Sequence, residues 1–245
     1  MGGLVSRLLR GSQATGVPRR IQLSNHTVKI VRKIGEGGFA EIYLAKEKDT
    51  GDLYALKRFT CLDDESRIHL ALTEIETLKK FQNQSDFLIS LVDTDNQQWV
   101  LLPFYSSGSV YSVIENERQN RSLAPYIPIP NLFTRKEIIQ LMCDLCEGVT
   151  LFHHQEPPLA HRDISPGNVL LREEEGIRRA ILMDFGSTAP ARVKTDSYSD
   201  CVKLQEQAEA TCSLLYRAPE LHEVITHSTI DERSDVWVSP EKDNE

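Results

Sequence analysis

The sequence predicts an α+β fold in which a small β-rich lobe is followed by a mostly helical large lobe. Two patterns carry this prediction. Apolar and β-branched residues with strand character dominate residues 28–60, whereas apolar residues at helical spacing mark residues 64–81 and 135–153. A chain of 245 residues is long enough for two such lobes.

Composition narrows the possible classes of function. The formal net charge of -8 gives no basic domain face, so no nucleic-acid partner is expected. No apolar run approaches the ~20 residues that span a bilayer, and the chain start lacks the apolar core of a secretion signal. Five irregularly spaced cysteines fit a reducing, cytoplasmic compartment. Cys143 and Cys146 form a CxxC inside a helical pattern, which favours two inward-facing small residues over a metal or redox pair.

The first six residues match the pattern for N-myristoylation, with Gly2 as the acceptor and Ser6 at the favoured position. One acyl chain gives only reversible membrane binding, so a second signal is expected. Attraction to an anionic leaflet would come from the arginines that follow, Arg7, Arg10, Arg19 and Arg20. The alternative is that residues 1–27 are a flexible arm whose charges do nothing specific.

A glycine-rich turn lies between two strands of the predicted small lobe, residues 28–102. Glycines at a strand turn let backbone N–H groups approach phosphate closely, because no Cβ intrudes. Phe39 would cover the phosphates. Ala40 occupies the position at which glycine-rich phosphate-binding turns of this kind carry a third glycine. The residues assigned to nucleotide binding at this turn are Ile34, Gly35, Glu36, Gly37, Gly38, Phe39, Ala40 and Ile42.

Lys57 lies in the strand after a predicted hairpin turn at residues 49–51, close behind Ala55. Its distance from the glycine-rich turn and its apolar flanks favour contact with nucleotide phosphates, and Ala55 is assigned to the same site. In the amphipathic helix that follows, Glu74 is the predicted carboxylate partner of Lys57. Glu76 is the alternative.

Two further apolar runs, residues 88–92 and 99–102, predict the remaining strands of the small lobe. The residues after them, Pro103, Phe104 and Tyr105, are assigned to the link between lobes and to adenine binding. Pro103 lacks an N–H but keeps a carbonyl, which can accept a hydrogen bond from adenine.

The long helix of the large lobe begins with a predicted capping box, formed by Thr134 and Glu137. It ends at His153 and His154, which we interpret as polar helix-end residues rather than metal ligands. Helical spacing predicts its buried face, which consists of Ile138, Leu141, Met142, Leu145, Val149 and Phe152.

The most specific signal is the run at residues 161–171, where Asp163 is followed five residues later by Asn168. A second acid, Asp184, comes twenty-one residues after the first and precedes Phe-Gly. A base carboxylate must face the acceptor hydroxyl, while an amide and another carboxylate hold metal against the nucleotide phosphates. Asp163 is therefore the predicted base, acting with Lys57 and Glu74 as the catalytic set. Asn168 and Asp184 are the predicted Mg²⁺ ligands and contact the nucleotide through the metal.

These motifs resemble eukaryotic protein kinases over residues 28–237, and several stretches resemble the Numb-associated kinases in particular. The stretches are residues 35–39, 54–58, 101–104, 182–184, 216–221 and 230–237. The resemblance implies a serine/threonine kinase that transfers the ATP γ-phosphoryl group to protein hydroxyls with Mg²⁺. It also implies a lipid anchor near Golgi membranes, although no cysteine near the N-terminus is present to take palmitate. A helical activation segment is a further feature of that family, and residues 203–210 have helical composition.

Ser165 departs from the family pattern, because serine/threonine kinases usually carry a lysine two residues after the catalytic aspartate. Loss of one preorganised charge at such a site costs on the order of 10²–10³ in rate. Slow turnover with retained nucleotide binding is therefore expected. The alternative function is an impaired kinase that acts as a nucleotide- or partner-binding module. Arg162 has two interpretations, which are binding a phosphorylated side chain and ordinary packing.

The end of the chain departs from the family as well. The large lobe, residues 103–237, is followed by a polar tail at residues 238–245, in which Pro240 would break a helix. Because the resemblance implies a buried helix here, we expect a large lobe cut short at its central helix. Apolar residues around 138–152 would then form an exposed patch.

Overall fold

The computed structural model describes residues 16–60, 64–123 and 132–237. The predictions on Gly2 and on the polar tail lie outside the described residues. The chain forms two compact units, the first running to Asn83 and including Ile89–Phe104, the second comprising Gln84–Leu88 and the chain from Tyr105.

The first unit is built on a six-stranded antiparallel sheet with strand order β1-β2-β3-β4-β6-β5. The strands are β1 Arg20–Gln22, β2 Thr27–Glu36, β3 Ala40–Glu47, β4 Leu53–Phe59, β5 Asp93–Thr94 and β6 Trp99–Pro103. Its register places Gly35 opposite Ile42, and Ile42 opposite Lys57. Cross-strand partners project from the same face of a sheet, so these three positions share one face.

Strand β1 lies inside the segment that the sequence assigned to a flexible arm. Its Ile21 and the following Leu23 are buried, and they pack in one apolar cluster with Val28 of β2 and with Trp99 of β6. Burial of two large apolar side chains favours an ordered segment here. The sheet therefore begins at Arg20, before the predicted boundary at residue 27.

The strand predicted at residues 88–92 is wrong. Strand β5 is instead the short Asp93–Thr94, and Leu88 belongs to the second unit. There Leu88 forms an isolated parallel bridge with Leu182, whose N–H donates to the carbonyl of Phe87 (2.8 Å). Leu88 is therefore held by these contacts, whereas Val92 at the other end of the run donates its N–H to the carbonyl of Leu101 in β6 (2.9 Å).

The first unit also contains helix α1, Glu65–Lys80, which agrees with the helix predicted at residues 64–81. Asp64 caps it by accepting a hydrogen bond from the N–H of Ser66 (2.9 Å). Glu74 lies on its buried face.

Among the described residues, the second unit contains four α-helices and three two-stranded antiparallel sheets. Its helices are α2 Val110–Leu123, α3 Arg135–His153, α4 Tyr198–Thr211 and α5 Pro219–His222. Its paired strands are β7 Leu159–Ala160 with β10 Ala189–Pro190, β8 Val169–Glu174 with β9 Ile177–Leu182, and β11 Val193–Thr195 with β12 Ser228–Ile230. Within the described ranges no helix has both the length and the apolar character required to cross a bilayer.

Helix α3 begins with the predicted capping box of Thr134 and Glu137. Its buried Asp144 accepts two hydrogen bonds from the guanidinium of Arg179 (2.9 and 2.8 Å), which fixes β9 against the helix. Gly148 allows residues 87–88 to approach, since a Cβ here would lie 3.1 Å from Leu88.

The buried stripe of α3 follows Leu141, Asp144, Gly148 and Phe152. Ile138 and Met142 are 50% and 47% exposed, so their predicted burial is wrong. Cys143 and Cys146 are exposed as well, which contradicts their inward-facing interpretation. Helix α3 buries the stripe of residues that contacts β9 and residues 87–88. The apolar side chains beside that stripe remain exposed.

Candidate active site

The glycine-rich turn joins β2 and β3 in the first unit. The N–H of Gly37 donates to the carbonyl of Ala40 (2.8 Å), closing a tight turn. The tip, residues 36–39, is exposed. A turn of this kind presents backbone rather than side chain, which is the chemistry that phosphate oxygens need.

Lys33 braces the base of this turn. Glu36 and Glu41 are direct partners across the hairpin, and the Lys33 ammonium lies 2.8 Å from Glu36 and 2.7 Å from Glu41. Hydrogen bonds from Lys33 and from the Tyr43 hydroxyl hold the pKa of Glu41 below its ordinary value. Lys33 therefore offsets the repulsion between the two acids, and Arg58 lies 3.5 Å from Glu41 as a more distant second cation. No local pattern in the sequence indicates this contact.

Lys57 and Glu74 form a buried ion pair between β4 and α1. The Lys57 ammonium lies 2.6 Å from both carboxylate oxygens, and the two residues are 8% and 4% exposed. Glu76 is exposed, which leaves Glu74 as the partner. Pairing within a dry environment fixes the direction of the ammonium group.

Helix α1 makes a second contact with the nucleotide-binding elements. Arg67 donates to the carbonyl of Gly38 (3.4 Å), and its guanidinium lies 5.4 Å from the centre of the Phe39 ring. Arg67 and Glu74 are seven residues apart, which places them on one helix face. That spacing is the signal by which the sequence could have identified Arg67.

The remaining predicted nucleotide-binding residues follow the same sheet. Ala55 pairs with Leu102, and Pro103 ends β6 opposite Tyr54. Pro103 and Phe104 belong to the first unit, whereas Tyr105 opens the main segment of the second unit.

In the second unit, Asp163 and Asn168 are directly hydrogen-bonded. The Asn168 amide nitrogen donates to the Asp163 carboxylate (2.7 Å) and to its backbone carbonyl (2.8 Å). The other carboxylate oxygen of Asp163 accepts from the N–H of Ser213 (2.7 Å). Because the amide nitrogen of Asn168 is engaged, its amide oxygen is the atom that can serve a cation.

A backbone hydrogen bond holds the residue before Asp184 against Asn168. The N–H of Met183 donates to the carbonyl of Asn168 (2.9 Å), so Asp184 emerges one residue beyond that bond. Asp184 has a left-handed backbone with φ of 65°. The next side chain, Phe185, is fully buried in edge-to-face contact with Phe152 (5.3 Å).

The buried Asp235 anchors the segment before Asp163. Its carboxylate accepts from the N–H groups of His161 (2.8 Å) and Arg162 (2.7 Å), and it bonds the imidazole of His153 (2.9 Å). His153 is therefore more than the polar helix-end residue that the sequence predicted. This role of Asp235 cannot be predicted from sequence spacing, since the partners are over seventy residues apart and no periodicity links them.

Arg162 is a packing arginine in this structure. Its backbone has φ of 66°, its side chain donates to the carbonyl of Pro190 (2.7 Å), and burial lowers the pKa of its guanidinium. The neighbouring Ser165 is 8% exposed, and its carbonyl accepts from the N–H of Asn168 (2.9 Å).

The segment after Asp184 contains the helix that the composition of residues 203–210 predicted. Helix α4 has its own capping box, with Ser197 and Asp200 bonded reciprocally. Its apolar face packs in one cluster with α5 and β12, formed by Cys201, Leu204, Ala208, Cys212, Ala218, Leu221, Val224 and Ile230. Burial of this face holds the segment in a defined conformation.

Protein kinases handle a nucleotide with a lysine–glutamate ion pair, a catalytic aspartate and an asparagine–aspartate pair of metal ligands. The first unit carries the lysine–glutamate pair, and the second carries the aspartate and the asparagine–aspartate pair. The fold and these groups together define the chain as a protein kinase. The family model described as the protein kinase domain matches residues 28–239. The chain therefore belongs to the protein kinase family, and the predicted α+β kinase fold is confirmed.

Curated relatives place the chain among serine/threonine kinases. Serine/threonine-protein kinase 16 of Rattus norvegicus is 32% identical over 220 residues, covering 88% of this chain and 67% of the relative. The human protein of the same name is 32% identical over 222 residues, with the same coverage. A probable serine/threonine-protein kinase of Dictyostelium discoideum is 31% identical over 267 residues, covering 84% of this chain and 71% of that protein.

Proposed function

We propose that this chain transfers the γ-phosphoryl group of ATP to serine or threonine hydroxyls of protein substrates. The observation that carries the proposal is the buried ion pair of Lys57 and Glu74, with 2.6 Å between the ammonium and each carboxylate oxygen. In protein kinases this pair must be formed before the nucleotide phosphates are correctly held. Relatives named as serine/threonine kinases support the choice of acceptor.

Each unit contributes a distinct part of the chemistry. In the first, backbone groups of the glycine-rich turn and the ammonium of Lys57 bind the phosphates. In the second, Asp163 accepts a hydrogen bond from the substrate hydroxyl and orients its oxygen toward the γ-phosphorus. As the new O–P bond forms, the bond to the β–γ bridging oxygen breaks and ADP leaves. The hydroxyl proton passes to Asp163 and then to solvent.

The described residues fit Mg²⁺ at Asn168 and Asp184. The Asn168 nitrogen is bonded to Asp163, which leaves a hard oxygen for the metal, and Asp184 supplies a carboxylate. No group of three or more His, Cys, Asp or Glu side chains suited to a metal occurs among the residues that the structure describes. Mg²⁺ takes few protein ligands and completes its shell with phosphate and water. When bound, Mg²⁺ offsets the negative charge of the phosphates.

We also propose that the chain belongs to the Numb-associated branch and is attached to Golgi or perinuclear membranes through acylation of Gly2. The sequence stretches that resemble the Numb-associated kinases, residues 35–39, 54–58, 101–104, 182–184, 216–221 and 230–237, support this branch. The acylation motif supports the attachment. Labelling cells with an alkyne analogue of myristate tests it, with Gly2→Ala as the variant expected to lose both label and membrane fraction.

Phosphate incorporation from radiolabelled ATP into a library of serine-, threonine- and tyrosine-centred peptides tests the activity. Asp163→Asn and Lys57→Met should abolish incorporation, whereas the exposed Glu76→Gln should leave it unchanged. Label on tyrosine peptides alone would contradict the proposed acceptor class. Label that survives in Asp163→Asn would contradict the proposed base.

A second candidate function rests on Ser165, which supplies no cation beside Asp163. The chain would then bind nucleotide and partners with little transfer. A thermal shift with ATP and Mg²⁺, combined with absent peptide labelling, would support this candidate over the first.

A further inference from the structure

Three cationic side chains form a row across the first three strands of the sheet. Arg20 of β1 is the direct cross-strand partner of Lys29 of β2, and Lys29 is the partner of Lys46 of β3. Direct partners project from one face of a sheet, so the three side chains stand side by side. All three are exposed, and we call them the basic row.

The basic row continues into the turn that follows β3. The exposed Lys48 lines one shallow cavity together with all three residues of the row. Asp49 and the buried Glu47 line the same cavity and offset part of the charge. Four cations against two acids still leave this corner of the sheet positive, although the whole chain carries a net charge of -8.

Within the described ranges, the cations of the basic row have no acidic side chain as an ion-pair partner. Like charges that face each other directly on a sheet are destabilising. None of the four cations forms an ion pair with any residue in the described ranges, whereas Lys33, in the same strand as Lys29, is bonded to two acids. An external anionic partner would relieve the repulsion that the fold leaves in place.

We propose that the basic row is a docking surface for the anionic headgroups of a lipid bilayer. Neighbouring strands lie ~4.8 Å apart, so three side chains spread over about 10 Å of open surface. That width suits an extended layer of headgroups, because each exposed ammonium or guanidinium can contact a different one. The row acts within a Debye length of about 10 Å at moderate salt, so distant acidic residues oppose it only weakly.

The position of the row in the chain also favours a membrane. Strand β1 follows directly on the N-terminal segment that carries the acylation motif, and Arg19 precedes it. Up to ~60 Å of extended chain separates Gly2 from Arg20, which lets an inserted acyl chain and the basic row contact one bilayer together. A single acyl chain needs such a second signal for stable attachment. The inference deepens the proposed membrane attachment, but it requires binding by the unacylated chain as well.

Vesicle co-sedimentation of the unacylated full chain tests the proposal, with vesicles of phosphatidylcholine alone or mixed with phosphatidylserine. We expect binding only to the mixed vesicles, and weaker binding as salt is raised. Each basic residue contributes about fivefold to partition onto an anionic surface. The variant Arg20→Glu/Lys29→Glu/Lys46→Glu should therefore bind at least about 100-fold more weakly.

A charge-matched variant separates the basic row from net charge. Arg135→Glu/Lys136→Glu/Lys194→Glu changes three exposed cations of the second unit by the same amount and should retain most vesicle binding. The thermal shift with ATP should be unchanged in both variants, which confirms that each is folded. Equal losses in the two variants, or no binding of the parent chain to phosphatidylserine at low salt, would overturn the proposal. So would preferential binding of a single-stranded oligonucleotide through the same residues.

Because the protein in this test carries no acyl chain, its result does not depend on Gly2. A negative result would overturn the proposed membrane contact of the basic row. It would not affect the proposals of acylation and of kinase activity. A positive result with unlabelled Gly2 in cells would leave the row as the sole membrane contact.

Discussion

The ammonium of Lys33 reaches across the glycine-rich turn to Glu41 of β3 (2.7 Å), and it also contacts Glu36 of its own strand, β2 (2.8 Å). The two glutamates are cross-strand partners at the base of that turn. Lys33 therefore holds β2 and β3 together at the base of this turn, and Arg58, 3.5 Å from Glu41, adds a weaker contact. Lys33 acts by positioning the backbone groups of the turn. This role requires no contact between its side chain and a reacting atom.

Lys33→Met should raise the KM for ATP about five- to tenfold with little change in kcat, because repulsion between Glu36 and Glu41 opens the turn. Steady-state kinetics at varied ATP measures this. Lys29→Met, in the same strand and without an ion pair to a described residue, is the control and should leave KM unchanged. A fall in kcat at constant KM would contradict the positioning role.

Glu74→Gln should reduce kcat/KM on the order of 10–100-fold, because Lys57 loses the charge that directs it. The variant keeps the shape of the side chain, so circular dichroism should show a folded protein. Glu76→Gln changes the same residue type on the exposed face and should behave as the parent chain. Equal kinetics in the two variants would show that the buried pair is structural only.

Ser165→Lys should raise kcat by at least about tenfold, since it restores a preorganised cation beside Asp163. Peptide phosphorylation under saturating ATP measures the effect. Ser165→Met, of similar length and without charge, is the matched control for packing in this buried position. An unchanged rate in Ser165→Lys would indicate that the chain compensates for the missing cation by other groups.

Glu137 should make the folded state sensitive to acid. The N–H of Thr134 and the guanidinium of Arg178 lower the pKa of Glu137 from 4.5 to about 2. A carboxyl whose pKa is lowered on folding stabilises the protein above its unfolded pKa, and that stability is lost as pH falls toward the folded value. Glu137→Gln should therefore reduce the free energy of unfolding by about 1 kcal/mol at neutral pH.

The difference between parent and Glu137→Gln should shrink between about pH 4.5 and pH 2, because the parent carboxyl becomes neutral there. Urea unfolding at a series of pH values measures it. Glu147→Gln, an exposed residue on the same helix, is the control. A pH-independent difference would show that the hydrogen-bonding shape of the side chain matters and its charge does not.

Local signals predicted much of the fold. The helix at residues 64–81 and the capping box of Thr134 and Glu137 depend on residues within a few positions of one another, so periodicity and side-chain type were sufficient. The same is true of α4, whose composition is helical although it lies in an activation segment. The pairing of Lys57 with Glu74 was accessible because α1 has one buried face.

The misses have a common physical origin in long-range contacts. The run at residues 88–92 has strand composition, but Leu88 is buried by Leu182 and by α3 instead. Met142 lies beside the stripe that β9 covers, and periodicity alone cannot say which of two adjacent apolar stripes is covered. Asp235 acts on residues more than seventy positions away in the chain, where no spacing rule applies.

Two residues around the catalytic sequence, Arg162 and Asp184, hold left-handed backbones with φ of 66° and 65°. Each such conformation costs about 1–3 kcal/mol, and it persists only while neighbouring groups enforce it. At Arg162 the enforcing group is Asp235, whose carboxylate accepts a hydrogen bond from the backbone N–H of Arg162. On gentle heating, the backbone at Arg162 and Asp184 should relax into ordinary extended geometry while the sheet and α3 remain intact. Phosphotransfer would then fade several degrees below the melting of the helices, so the enzyme would inactivate before it unfolds.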